Sequence, residues 1–303
     1  MALKPERLRP GDTIGIVAPA GAFKKERLQP GLAYLERAGY GVRVGAHVYD
    51  RKRYMAGEDG ARAEDLHAFF EAPEVRAIFA ARGGYGTTRL LDLLDYDLIQ
   101  RNPKIFLGFS DTTALQLALY RHAGLITTSG ITVCADLGPE REAFTEAAMW
   151  RAVRDGAVGP FEGLRPLAGG AAEGRLLGGC LSLVSALQGT AHLPAFDGAV
   201  LLLEDVDEAP YRIDRMLTHL RQTGLLGRVA GVAFGHFEGA KPDEGADWTM
   251  EEVLADRTAD LGVPVVCGLP YGHQRRRAVL PLGARVRLDA DAGRLELLES
   301  TVA

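Results

Sequence analysis

The sequence predicts an α/β protein of two domains, an N-terminal parallel-sheet α/β domain followed by a C-terminal α/β domain with a strand-rich tail. Three observations predict it. Short apolar runs alternate with amphipathic stretches through the first half, the pattern of parallel strands with helices on both faces. Around residues 155–170 the composition shifts to Gly, Pro and Ala with little periodicity, as in an interdomain linker. Beyond residue 284 apolar and polar side chains alternate across a turn, as in a hairpin. At 303 residues the chain is also long for one core. The expected division is 1–154 for the first domain, 155–174 for the linker and 175–303 for the second domain.

The elements follow in order. Thr13-Ile14-Gly15-Ile16-Val17-Ala18 is a buried-strand run that Pro19 ends, and residues 25–38 place Leu28, Leu32, Leu35 and Ala38 at helical spacing. Gly41-Val42-Arg43-Val44 reads as a second strand, residues 62–70 as a helix, and Val75-Arg76-Ala77-Ile78-Phe79-Ala80 as a third strand. A helix over 87–94, a fourth strand at Ile105-Phe106-Leu107 and a helix over 113–122 complete the first half. Past the linker, 200–203 and 229–234 read as buried strands around a helix at 213–220. Arg285-Val286-Arg287-Leu288 then turns at Asp291-Ala292-Gly293 into Leu295-Glu296-Leu297-Leu298.

Bulk composition narrows the function. Hydrophobic (47%) and charged (25%) fractions are those of a globular protein, and a net charge of −5 argues against general nucleic-acid binding. The opening residues hold no apolar signal-type core, and no apolar run approaches the roughly 20 residues that span a bilayer. No membrane association and a cytoplasmic setting are therefore expected. Cys134, Cys180 and Cys267 lack metal-ligand spacing and read as reduced, mostly buried thiols. No metal and no cofactor is expected.

Three separated segments carry candidate chemistry. Ser110, in Gly108-Phe109-Ser110-Asp111-Thr112-Thr113, follows a strand and precedes a helix, where a serine is projected from a sheet and helix-opening N–H groups can hold an oxyanion. The alternative is a helix cap by Ser110 or Asp111. Glu204 ends an apolar strand ahead of Asp205, Asp207 and Glu208. It can orient a histidine, although the same acids would also serve as a solvated loop or a Mg²⁺ site. His273 stands in Pro270-Tyr271-Gly272-His273 as the candidate general base, with His236 as second choice. Arg82-Gly83-Gly84-Tyr85-Gly86-Thr87 opens the expected helix at residue 87 as either an oxyanion donor or a phosphate cradle. Arg275, Arg276 and Arg277 offer pairing to a substrate carboxylate, with at least one of them expected on a solvated face. If the three residues Ser110, Glu204 and His273 work together, the active site is expected at the domain interface.

Taken together, Pro10-Gly11-Asp12-Thr13-Ile14-Gly15-Ile16-Val17-Ala18-Pro19-Ala20-Gly21, Arg82-Gly83-Gly84-Tyr85-Gly86, Gly108-Phe109-Ser110-Asp111-Thr112-Thr113-Ala114-Leu115, Glu204-Asp205-Val206-Asp207-Glu208-Ala209-Pro210-Tyr211-Arg212-Ile213-Asp214-Arg215 and Gly268-Leu269-Pro270-Tyr271-Gly272-His273 resemble the LD-carboxypeptidase family. That family includes muramoyltetrapeptide carboxypeptidases and microcin C self-immunity proteins. The resemblance implies a metal-free, two-domain α/β serine peptidase, usually a homodimer. Ser110 would be the nucleophile, Glu204 the acid and His273 the base, with the backbone N–H groups of Asp111 and Gly84 as oxyanion hole. Gly83 and Tyr85 would join the arginines as substrate contacts. The implied substrate is a murein tetrapeptide or related small peptide, cleaved at an L,D-amide to release D-alanine. A peptidyl- or aminoacyl-sulfamoyl adenylate is the alternative within the family, and a non-catalytic protein binding an anionic ligand the alternative outside it. Two departures bear on substrate choice. Thr128-Ser129-Gly130-Ile131 stands where family members often carry His-Gly-Pro, and Gly178-Gly179-Cys180-Leu181 stands in place of Gly-Gly-Asn-Leu.

Overall fold

The structure, a computed structural model, describes residues 2–303. Its first half contains β1 (Thr13–Val17), α1 (Lys25–Arg37), β2 (Gly41–Val44), α2 (Asp59–Glu71), β3 (Val75–Ala80), α3 (Tyr96–Arg101), β4 (Ile105–Gly108) and α4 (Thr112–Ala123). Then come β5 (Thr127–Ser129), α5 (Val133–Asp136) and α6 (Ala143–Trp150). The second half holds β6 (Arg165–Ala168), β7 (Ala171–Cys180), α7 (Leu181–Ala186), β8 (Val200–Val206), α8 (Pro210–Gln222) and β9 (Gly231–Glu238). It closes with α9 (Met250–Thr258), β10 (Val265–Cys267), β11 (Leu280–Leu282), β12 (Arg285–Asp289) and β13 (Arg294–Leu297).

Two compact units result. The first comprises the chain through Ala157 with Ala278–Gly283 and Ser300–Ala303, and the second Val158–Arg277 with Ala284–Glu299. This differs from a continuous second domain over 175–303. Leu280 and Leu282 pair antiparallel with Ser129 and Thr127 and bury both leucines, so β11 returns to the first sheet. The expected linker at 155–174 is also structured, since β6 and the start of β7 lie in the second sheet. Glycine there serves close strand packing rather than flexibility. A Cβ at Gly174 would lie 2.3 Å from the Gly198 carbonyl oxygen.

In unit 1 the strand order is β11-β5-β4-β3-β1-β2, with β1 to β5 parallel and β11 antiparallel. From β1 the chain moves to β2 on one side and to β3 on the other. The reversal opens a crevice at the carboxyl ends of β1 and β3, where open α/β sheets bind ligands. Ile14, Ile16, Phe79 and Phe106 are buried in this sheet, and α4 is buried over its first two turns, Thr112 to Leu119. A helix so enclosed makes a firm base for the turn preceding it. Gly124 ends it in the left-handed region at φ 70.

Residues 87–94 form two short 3₁₀ turns instead of the expected helix. Thr87 explains this, because its N–H and hydroxyl are both drawn to Asp111 (2.9 and 2.5 Å). In unit 2 the order is β13-β12-β7-β8-β9-β10-β6, with β7 to β10 parallel and the other three antiparallel to their neighbours. Leu201, Leu203 and Phe234 are buried in the strands, as are Ile213, Leu217 and Leu220 along α8. No helix among the described residues is long and apolar enough to cross a membrane.

Candidate active site

Ser110 lies between the end of β4 and the first turn of α4 and is half-buried. Its φ is +65, one of three positive values at non-glycine residues among those described. The left-handed conformation costs an L-residue roughly 1–2 kcal/mol and is held where surrounding packing over-determines it. Strand and buried helix fix the turn from both sides, and Thr113 N–H donates to the Ser110 carbonyl at 2.9 Å. This is the sharp strand-to-helix bend expected of a nucleophile elbow.

The glycine loop after β3 reaches that turn. A Cβ on Gly83 would sit 3.0 Å from Ser110 Cβ and 3.1 Å from the Phe109 carbonyl oxygen, so glycine alone permits the approach. Gly21, just past β1, donates its N–H to the Gly83 carbonyl at 3.1 Å. The loops after β1, β3 and β4 thus converge at the crevice. Tyr85 is 46% exposed there, its ring centroid 5.8 Å from that of Tyr54.

Two buried side chains, the Asp111 carboxyl and the Arg62 guanidinium, hold the loop. The Asp111 side chain is 2% exposed and accepts the Thr87 N–H at 2.9 Å and the Gly86 N–H. Burial pushes its carboxyl above the ordinary range against these bonds. The alternative of a helix cap by the Asp111 side chain does not hold: Asp111 makes no side-chain cap bond to α4 and turns to the glycine loop instead. A phosphate cradle is disfavoured for the same reason, because an internal carboxylate already occupies those amides. Behind the loop, Arg62 is 2% exposed and donates to the carbonyls of Pro19 and Gly86 while pairing with Asp59. Only partner geometry identifies either residue, since in sequence Arg62 looks like one of many helical arginines.

In unit 2, Glu204 lies near the end of β8, opposite Cys180, and is fully buried. Its Oε2 is 2.8 Å from His273 Nδ1, while Oε1 has no hydrogen-bond partner among the described residues. Burial raises the Glu204 carboxyl above its ordinary value, and the His273 bond pulls it back. Arg277 lowers it further from nearby. The histidine turn is anchored on β9: His236 N–H donates to the Tyr271 carbonyl at 2.7 Å, and Leu269 N–H to Phe234 at 3.2 Å. Tyr271 is fully buried, and a Cβ at Gly235 would lie 2.2 Å from the Tyr271 oxygen. The sequence-predicted acid and base therefore meet, although 69 positions apart.

The neighbouring acids and arginines separate by environment. Asp205 is buried and accepts the N–H groups of Ser182 (2.7 Å) and Val206 (2.9 Å), so it ties the start of α7 to β8. Cys180 Sγ lies 3.4 Å from the same carboxylate, and its thiol is pushed well up, chiefly by burial. Among the described residues no group of three or more His, Cys, Asp or Glu side chains is arranged to hold a metal. Arg275 and Arg276 are exposed, whereas Arg277 is buried and donates to the Gln274 carbonyl at 2.9 Å.

Comparison with known proteins adds a second line. The model for the LD-carboxypeptidase N-terminal domain matches residues 14–130, and that for the LD-carboxypeptidase C-terminal domain matches residues 173–288. The chain is 36% identical to a probable murein peptide carboxypeptidase of Bacillus subtilis, over 94% of this chain and 91% of that protein. It is 27% identical to the microcin C7 self-immunity protein of Escherichia coli, over 95% and 94% of the two chains. The crystal structure of a muramoyltetrapeptide carboxypeptidase from Oxalobacter formigenes superposes with a TM-score of 0.84 at 32% identity, covering 94% of this chain and 97% of that one.

Proposed function

The chain belongs to the LD-carboxypeptidase family, and from that premise we propose that it is a serine peptidase that hydrolyses an L,D-amide and releases a C-terminal D-amino acid. The substrate of this reading is a murein tetrapeptide, losing D-alanine. One observation carries it: a fully buried carboxylate, Glu204, bonded at 2.8 Å to the Nδ1 of His273. An ionised carboxylate only accepts, so Nδ1 must donate, which makes Nε2 the ring's acceptor nitrogen, the one able to take a proton. The strained Ser110 turn supports the other half of the reading, because strain of this kind gathers at functional sites.

In the reaction His273 Nε2 removes the Ser110 hydroxyl proton as Oγ attacks the scissile carbonyl. The N–H groups of Asp111 and Gly84 receive the oxyanion, and Gly83 leaves room for the acyl group. Protonated His273 passes its proton to the departing amine of D-alanine, leaving an acyl-serine. His273 then deprotonates water, which attacks the ester and frees the shortened peptide and Ser110. Buried Glu204 stabilises the imidazolium in both halves. Tyr85 would line the substrate side of the glycine loop, and exposed Arg275 and Arg276 would meet a substrate carboxylate.

The test is D-alanine release from purified murein tetrapeptide by the wild type beside Ser110→Ala. Release that disappears in the variant supports the reading. A folded wild type that releases none sinks it and moves forward the second reading, hydrolysis of a peptidyl- or aminoacyl-sulfamoyl adenylate, which the likeness to the self-immunity protein favours.

A further inference from the structure

Unit 2 contains a cleft of about 700 Å³ that the reaction above does not use. It opens where β8 ends, between the first turn of α8 and the chain following β9. Asp207, Tyr211, Lys241, Asp243 and Trp248 line it. Two aromatic side chains stand unusually bare there, Tyr211 at 63% and Trp248 at 38% exposure.

The charges around the cleft are unevenly answered. Glu208 has Arg212 at 3.5 Å and Asp214 has Arg257 at 3.6 Å. Asp207 and Asp243 have no ion-pair partner among the described residues, and Lys241 is the one basic residue in the lining. Arg212 and Arg215 lie 6.0 and 5.7 Å from the Tyr211 ring centre, whereas no cation stands over Trp248 among the described residues. Asp207 holds φ +56, and a Cβ at Gly239 would fall 2.7 Å from its Oδ1, so glycine at 239 makes the space that the carboxylate fills. Asp207 and Asp243 are exposed, and a concave wall joining a bare indole face to carboxylates without an ion-pair partner among the described residues suits an organic cation. An anion would meet like charge, and a neutral apolar group would bury the carboxylates without compensation.

We propose that this cleft binds the side-chain ammonium group of the substrate's diamino acid, held between the Trp248 ring and the carboxylates of Asp207 and Asp243. The inference rests on the peptidase reading, since Asp207 follows the proposed orienting acid Glu204 by three positions on one strand end.

The experiment compares tetrapeptides that differ only in carrying lysine or norleucine before the terminal D-alanine. Wild type is expected to favour the lysine peptide about tenfold in kcat/KM, and Asp207→Asn with Asp243→Asn to bring the ratio within about twofold. Asparagine tolerates a positive φ, so the double variant keeps the backbone. A parallel titration follows tryptophan emission with Nα-acetyl-lysine amide and its norleucine counterpart. Quenching by the lysine probe alone, lost in Trp248→Phe, is the expected result. Equal turnover of the two peptides, or no lysine-specific quenching, overturns the proposal. Failure to release D-alanine from either peptide strikes the peptidase reading instead, and the titration then decides the cleft by itself.

Discussion

Replacing Glu204 by Gln separates what this residue does for chemistry from what it does to stability. The carboxylate is fully buried, with one oxygen on His273 Nδ1 at 2.8 Å and the other without a partner among the described residues. Glutamine keeps the shape but can present an amide N–H to the ring, which would then hold its proton on Nε2, the wrong nitrogen for taking one from serine. In serine peptidases the equivalent loss of the acid costs about 10⁴ in kcat, or about 5 kcal/mol of barrier. D-alanine release under saturating tetrapeptide measures it. Stability should move the other way with pH. Burial raises the Glu204 carboxyl above its ordinary 4.5, so the folded state binds its proton more readily than the unfolded chain. The wild type accordingly loses stability as pH rises from about that ordinary value through the raised one, and holds the lower level above it. Glu204→Gln lacks this component. Its melting temperature relative to wild type should therefore be higher at pH 8 than at pH 4. A kcat within tenfold of wild type, or a melting difference independent of pH, refutes the reasoning.

Further outcomes follow from the nucleophile unit. Ser110→Gly should be more stable than Ser110→Ala by about 1 kcal/mol, because φ +65 strains only the alanine; equal urea midpoints would contradict it. Gly83→Ala places a methyl 3.0 Å from Ser110 Cβ, so kcat should fall about tenfold or more with circular dichroism unchanged. Undiminished turnover would mean that the loop does not set the nucleophile's position. Arg62→Met strips the Pro19 and Gly86 carbonyls of a buried donor, and denaturant unfolding should register a loss of about 2–4 kcal/mol. A loss under 1 kcal/mol would show that water or neighbouring groups replace the guanidinium.

The fold was readable where burial is written as uninterrupted apolar runs. Thr13–Val17 and Ile105–Gly108 fall where the sequence expects strands, and the tail hairpin pairs Val286 with Leu297. The short polar strand Thr127–Ser129 has no such signature, because its Thr127 and Ser129 side chains are buried through pairing with β4 and β11. The segment 155–174 reads as a linker by composition yet holds β6 and the start of β7, since glycine lowers strand propensity and also permits close backbone approach. Ser110, Glu204 and His273 stood out because each breaks an apolar run with a reactive side chain beside turn residues. Arg62 and the Asp111 carboxylate did not, since their roles depend on partners 24 or more positions away. Arg277 lay in a charged run that composition alone cannot divide, and burial distinguishes it from Arg275 and Arg276.

Three residues with chemical roles in the proposed reaction each carry a local cost. Ser110 sits in a conformation that a glycine would adopt without strain, Glu204 buries a carboxylate oxygen with no partner, and Asp111 is a buried acid. A chain selected for stability alone would relieve each with one substitution. Positioning, not stability, accounts for each of them. The same reasoning extends to Asp207, also at positive φ and wedged against a glycine that leaves it room. If Asp207 were only a turn residue, Asp207→Gly should stabilise the protein and leave selectivity untouched. If it binds an ammonium group, the stabilisation should come with loss of the preference for lysine over norleucine peptides.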